Sequence, residues 1–148
     1  MSIISIDKVL NIFLSMKLTT KSEYSLLALV YIARHKDKSF IKIDDICNEY
    51  NISKKYIEQL LYVLKGNRYI KTKRGISGGY TLARDPKKIT MAEIIRLMDG
   101  ALAPTDSVSE FFYSHTPIEK EEKMLKVFRE IRDYVAKKME KLTLADLI

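Results

Sequence analysis

The sequence of 148 residues predicts a mainly α-helical fold carrying one small β-hairpin. Three observations predict it. Helix-start signals or apolar residues at helical spacing mark five segments. Two β-rich stretches flank a loop holding three of the five glycines, and glycines there supply the positive φ that a hairpin turn needs. Hydrophobic residues are 47% and charged residues 30% of the chain, a globular composition that excludes a disordered tail. The length suits one domain, or one domain with an appendage.

Residues 1–15, MSIISIDKVLNIFLS, read as an N-terminal extension. Ile6, Val9, Leu10 and Phe13 share one face of a short extra helix, and an upstream start ahead of Met16 is the other reading. Asp7 and Lys8 break the apolar run and no basic segment precedes it, so a signal peptide is not expected. No apolar run approaches the ~20 residues of a bilayer span. The expected protein is cytoplasmic, with no membrane partner.

Thr20 and Glu23 have capping-box spacing, and Tyr24, Leu27, Ala28, Tyr31 and Ile32 form the apolar stripe of a first helix ending near His35. Phe40 and Ile41 suit a short strand. Residues 43–50 suit a second helix, with acidic residues early, where the helix dipole favours them. Asn51 and Ile52 make a tight connection. Ser53 is set to cap a third helix over residues 54–65, stopped by Gly66 and Asn67. Two short helices joined in this way make a helix-turn-helix.

The hairpin strands fall at 69–73 and 80–83, around Arg74-Gly75-Ile76-Ser77-Gly78-Gly79. Asp85-Pro86 is a turn. Thr90 and Glu93 form a second capping box, for a fourth helix over 91–99 ended by Gly100. Residues 101–117 read as a loop between Pro104 and Pro117. A long helix over 118–142 carries Met124, Phe128, Ile131, Val135, Met139 and Leu142 at steps of three and four, a coiled-coil-like seam. Helix, helix-turn-helix and basic hairpin follow the order of a winged helix-turn-helix. Residues 16–100 form that unit.

The net charge is +7, and it is not spread evenly. Residues 101–148 hold 8 basic and 9 acidic groups, while residues 53–88 hold 10 basic and only 2 acidic. Cations clustered on one module are the electrostatic footprint of nucleic-acid binding; a basic solvated face is the plainer alternative. On a helical wheel, Ile57, Leu60, Leu61 and Leu64 form the buried face of the third helix. Lys55, Gln59 and Tyr62 lie opposite, with Glu58 at the flank and Lys54 nearer the core edge. Lys can reach guanine, Gln adenine and Glu cytosine in a major groove. Ser53 can meet phosphate, Lys71 and Lys73 can hold backbone phosphates, and Arg74 at the hairpin tip can enter a minor groove.

MKLTTKSEYSLLALVYIAR, ISKKYIEQLLYVLKGNRYIKTKRGISGGYTLARDPKKITMAEIIRLMDG and the closing LTLADLI resemble the Rrf-two family of bacterial winged-helix transcription regulators. The resemblance covers residues 16–110 and the last helix, and ISKKYIEQLL and KRGISGGYTLA are its most specific pieces. It implies a homodimer joined by the long C-terminal helices, so that residues 118–148 are a dimerisation helix and tail. It also implies binding to pseudo-palindromic double-stranded DNA. By position, Ser53, Lys55, Tyr56, Glu58 and Gln59 match recognition-helix contacts, and Arg74 with Gly75 matches the wing.

Cluster-binding members of that family carry three cysteines in the loop after the fourth helix. Here Ser107 stands about where the first would be, and the only cysteine of the chain is Cys47, in the second helix. A lone cysteine also excludes an intramolecular disulfide. The expectation is a regulator, read as a repressor, with no iron–sulfur cluster, no metal and no cofactor. Asp106, Glu110 and His115 are read as ordinary loop polarity. Phe111, Phe112 and Tyr113 are read as cover for the dimer interface, with a small-molecule pocket or an effector protein's docking surface as alternatives. A winged helix used for contacts with a metabolic enzyme is the second function considered. Enzymatic function is not expected: no catalytic triad or phosphate loop is present, and His35 and His115 lie far apart in sequence.

Overall fold

A computed structural model describes residues 17–148; the extension with Ile6, Val9, Leu10 and Phe13 lies outside the described residues. Among the described residues, five α-helices and one two-stranded sheet make the fold. They run α1 (Thr20–Arg34), α2 (Ile43–Tyr50), α3 (Lys54–Gly66), β1 (Ile70–Lys73), β2 (Gly79–Leu82), α4 (Met91–Asp99) and α5 (Glu122–Lys141). The antiparallel register pairs Ile70 with Leu82 and Lys73 with Gly79.

Helix α1 is the centre of the core. Ala28, Leu29, Ile32 and Ala33 are buried on it, and it packs on α3, α4 and β2. Leu26 and Leu29 are also buried, so the buried side is broader than the stripe starting at Tyr24. The expected capping box at Thr20 does not form. Thr19 is the N-cap, and its backbone N–H and hydroxyl donate to the Asp99 carboxylate at the end of α4. Two adjacent threonines leave the cap position ambiguous, and a partner distant in sequence decides it.

Ile41 forms a single antiparallel bridge to Tyr80, with N–O distances of 2.7 and 2.8 Å, in place of a full strand. Gly79 makes this approach feasible: a Cβ there would meet the Ile41 carbonyl, and its φ of 150° disfavours other residues. Helix α2 turns into α3 through Asn51, which is left-handed at φ 52°. Thr90 and Glu93 make the expected capping box, and Gly100, at φ 93°, ends α4.

The 101–117 loop contains a 3-10 turn, Asp106–Val108, and a second turn, Pro117–Lys120, takes the place of the first residues expected in the long helix. After α5 the chain returns to the core. Leu144 is fully buried, and its N–H donates to the Ile89 carbonyl at 2.9 Å.

Candidate nucleic-acid interface

Helix α3 is built as its sequence pattern requires. Ile57, Leu60, Leu61 and Leu64 are buried, while Lys55, Glu58, Gln59 and Tyr62 are exposed on the other side. Ser53 occupies the N-cap, but its side chain makes no cap hydrogen bond. The expected capping therefore fails, and the hydroxyl stands exposed beside the positive end of the helix.

Two of the expected contact residues already have partners within the chain. Lys54 pairs with Asp44 of α2 at 3.0 Å, and this bond holds its ammonium above the usual lysine range. The Tyr56 hydroxyl shares a hydrogen bond with Thr20 of α1 at 2.9 Å. The Tyr56 ring meets Tyr24 edge-on, with centroids 5.6 Å apart. Tyr56 thus ties α3 to α1.

The wing presents Lys71, Lys73, Arg74 and Gly75 to solvent. Gly75 sits at φ 99°, and a Cβ on Gly78 would collide with the Lys73 carbonyl, so both glycines shape the tip. Lys73 also lies over the Phe40 ring at 5.7 Å. Lys42, which the sequence reading missed, donates to the Ile76 carbonyl at 2.5 Å and braces the wing from the start of α2. Ile76 at the tip is 99% exposed. Nothing in the local sequence pairs Lys42 with the hairpin; only the Ile41–Tyr80 bridge brings them together. Tyr80 of the wing lies near Glu58 and Lys54 of α3. Burial raises its phenol pKa, Glu58 raises it further, and Lys54 opposes both.

The seam expected on α5 divides between two faces. Met124 and Ile131 are exposed, as are Val127 and Tyr134, which the sequence reading left out. Phe128, Val135, Met139 and Leu142 are half-buried, and Met139 packs on the chain's own core. Leu125 and Ala136 are the buried residues of the helix. Between them Arg132 donates to the Val108 carbonyl at 2.7 Å.

The loop before α5 is knitted by hydroxyls. Ser107 accepts from Thr116 at 2.9 Å, Ser109 accepts from the Phe112 N–H at 3.0 Å, and Ser114 donates to Asp106 at 3.2 Å. Tyr113, His115 and Glu119 form a closed hydrogen-bonded set, in which Tyr113 and His115 hold the Glu119 carboxyl below the usual carboxylate range. Phe111 lies against Arg96 at 4.7 Å, and Phe112 and Tyr113 are exposed. Cys47 is buried, and burial raises its thiol pKa.

A helix-turn-helix with a polar-faced second helix and a basic, glycine-turned wing defines the class: a winged-helix DNA-binding regulator of transcription. The profile of the Rrf2 family, described as "Iron-dependent Transcriptional regulator", matches residues 18–148. The chain belongs to the Rrf2 family. It is 30% identical over 132 residues to the HTH-type transcriptional regulator CymR of Bacillus subtilis, covering 89% of each chain. It is 36% identical over 90 residues to IscR of Xenorhabdus nematophila, covering 61% of this chain and 55% of that one. Among solved structures, CymR of B. subtilis, described as the global cysteine regulator, superposes with a TM-score of 0.69 at 30% identity over 89% of this chain and 95% of that one. IscR of T. potens gives a TM-score of 0.69 at 27% identity, covering 89% and 85%. The protein is a DNA-binding transcription regulator and not an enzyme.

The family's description includes iron, and the loop residues do not fit a thiolate-held cluster. The loop offers Ser107 and Ser109, both buried and hydrogen-bonded, and no thiol. Cys47 lies on α2, inside the core. Among the described residues no three His, Cys, Asp or Glu side chains are grouped to hold a metal. No helix among them is long and apolar enough to cross a membrane.

Proposed function

We propose that the protein is a homodimeric, cytoplasmic repressor that sets one α3 into each half of a pseudo-palindromic operator and needs no iron–sulfur cluster. The residues assigned to DNA are Ser53, Lys54, Lys55, Tyr56, Glu58, Gln59, Lys71, Lys73, Arg74 and Gly75. The observation that carries the reading is the exposed polar face of α3, Lys55, Gln59 and Tyr62, beside a wing whose tip cation Arg74 is exposed and has no carboxylate partner among the described residues. Within this set Lys54 and Tyr56 act mainly by holding α3 in place, since each already has a partner. The dimer is assigned to α5, whose exposed Met124 and Ile131 face away from the core. The same reading makes Phe111 and Phe112 cover for the partner copy or a contact for an effector.

Selection of genomic DNA fragments by the purified protein tests this. The expected result is an inverted repeat whose half-sites lie about one helical turn apart. Affinity should fall steeply with salt, with a log–log slope near −0.9 for each phosphate contacted. Enrichment of no sequence, with a nearly flat salt dependence, overturns the DNA assignment and favours a protein-contact module. Anaerobic purification with iron and sulfide assays tests the cofactor. A brown protein with stoichiometric iron and sulfide contradicts the reading.

A further inference from the structure

The base of the wing carries a second basic surface, away from the tip. Lys65, Arg68, Lys71, Thr72 and Arg84 are the polar residues lining an open groove of about 840 Å³. Lys65 lies ten residues beyond Lys55, about 15 Å further along α3. The groove's strand residues stand at the open end of the hairpin, opposite Arg74. DNA phosphates held at the start of α3 and at the wing tip leave Lys65, Arg68 and Arg84 of this groove free, and Lys71 is common to both surfaces.

We propose that the groove binds a phosphorylated small molecule whose oxyanions join the end of α3 to the wing strands. The charge argument comes first. Among the described residues Lys65, Arg68 and Lys71 have no carboxylate partner, so three cations share one concavity uncompensated. Arg84 is a fourth, and it is held in place. It stacks on the Tyr69 ring at 4.2 Å, donates to Glu93 at 3.2 Å and donates to the Asn67 carbonyl at 3.3 Å. Those bonds use two of the five guanidinium N–H donors, which leaves three for an anion. A planar fork already fixed by its neighbours loses little freedom on binding an oxyanion.

The backbone argument is independent. Arg68 is left-handed, at φ 61°. It closes α3: its N–H donates to the Lys65 carbonyl at 3.0 Å, and the Tyr69 N–H reaches the Leu64 carbonyl at 3.0 Å. That is the two-bond helix ending in which glycine is the favoured left-handed residue. An arginine there carries a steric cost that glycine avoids. Gly66, two residues earlier, is helical, so the chain keeps arginine at the position where glycine fits better. Strain tolerated at one residue points to a use for its side chain. The C-terminal partial charge of α3, about −0.5, opposes an anion, but the three uncompensated cations outweigh it.

The test uses the full chain and inorganic pyrophosphate as the probe, followed by calorimetric titration. The expected result is saturable binding, one site per chain. Arg68→Gly removes the cation and relaxes the backbone. It should raise the melting temperature while weakening pyrophosphate about tenfold or more, the loss of one charged hydrogen-bonding partner. Lys65→Ala should weaken the probe similarly. Lys38→Ala, an equal loss of charge on the turn after α1, should leave it unchanged. Absence of saturable binding, or Arg68→Gly binding as tightly as the natural chain, overturns the proposal. A shallower salt slope for DNA in Arg68→Gly, with unchanged pyrophosphate affinity, assigns the groove to DNA backbone and also overturns it. Operator binding itself is read on Arg74 and Gln59, which this variant keeps, so the two readings fail separately.

Discussion

Tyr56 shows how a contact residue can be claimed by the fold. Its hydroxyl bonds Thr20 and its ring packs on Tyr24, so α3 is held against α1 by a residue that the sequence assigns to DNA. Tyr56→Phe keeps the ring and removes the bond. It should lower unfolding free energy by about 0.5–1.5 kcal/mol in urea melts. DNA affinity should change little; a large loss of affinity at unchanged stability makes the hydroxyl a DNA contact instead. Gln59 and Lys71 are exposed and have no partner among the described residues. Gln59→Ala should therefore leave stability alone and relax the preference at one base position by about 1–3 kcal/mol. Lys71→Ala should weaken all sequences alike and reduce the salt slope by about one. Binding measured against a set of single-base operator variants separates the two. Gln59 and Lys71 could be read from charge and wheel position, whereas the Thr20 bond could not, because its partner lies 36 residues away.

Helix ends were legible wherever one local interaction decides them. The Thr90–Glu93 box is such a case: Thr90 Oγ1 accepts from the Glu93 N–H at 3.2 Å, and Glu93 accepts from the Thr90 N–H at 2.9 Å. Thr90→Ala should cost about 0.5–2 kcal/mol, measured by chemical unfolding. The start of α1 and the end of α3 were less legible, because Asp99 selects Thr19 over Thr20 and the left-handed position falls on Arg68 rather than on Gly66 or Asn67. The C-terminal turn, Leu144–Leu147, adds a pH-dependent element. Asp146 accepts from the Thr143 N–H at 2.9 Å and its hydroxyl at 3.0 Å, and these bonds hold its carboxyl below the usual range. A lowered carboxyl pKa contributes stability above the unfolded-state value, near 3.9, that is lost as pH falls through the folded value. The melting-temperature gap between the natural chain and Asp146→Asn should thus be present at pH 6 and close below about pH 4. A gap that stays constant with pH removes the carboxylate from the explanation.

At the scale of the whole molecule, the proposed dimer turns on which side of α5 would meet a second copy. The sequence offered one seam, yet two stripes one residue apart both satisfy a heptad spacing. Leu125, Phe128, Arg132 and Ala136 face inward, and Met124, Val127, Ile131 and Tyr134 face outward. Periodicity alone could not choose, because the inward stripe contains an arginine, half-buried and bonded to the Val108 carbonyl. The outward residues are apolar and lack cover: Met124 is 49% and Tyr134 76% exposed. A contiguous apolar helix face exposed to water is stable when another helix covers it. Ile131→Glu puts a charge at the middle of that face without touching the core. It should give a monomer by sedimentation, with helical content unchanged. A dimer grips two half-sites by linked binding, so affinity for the full inverted repeat should fall at least ~100-fold while a single half-site is bound as before. Leu125→Ala, on the inward face, should instead cost about 2–4 kcal/mol of folding stability and leave association intact. If Ile131→Glu stays dimeric and Leu125→Ala dissociates, the inward stripe carries the dimer and α5 must leave its own domain to form it.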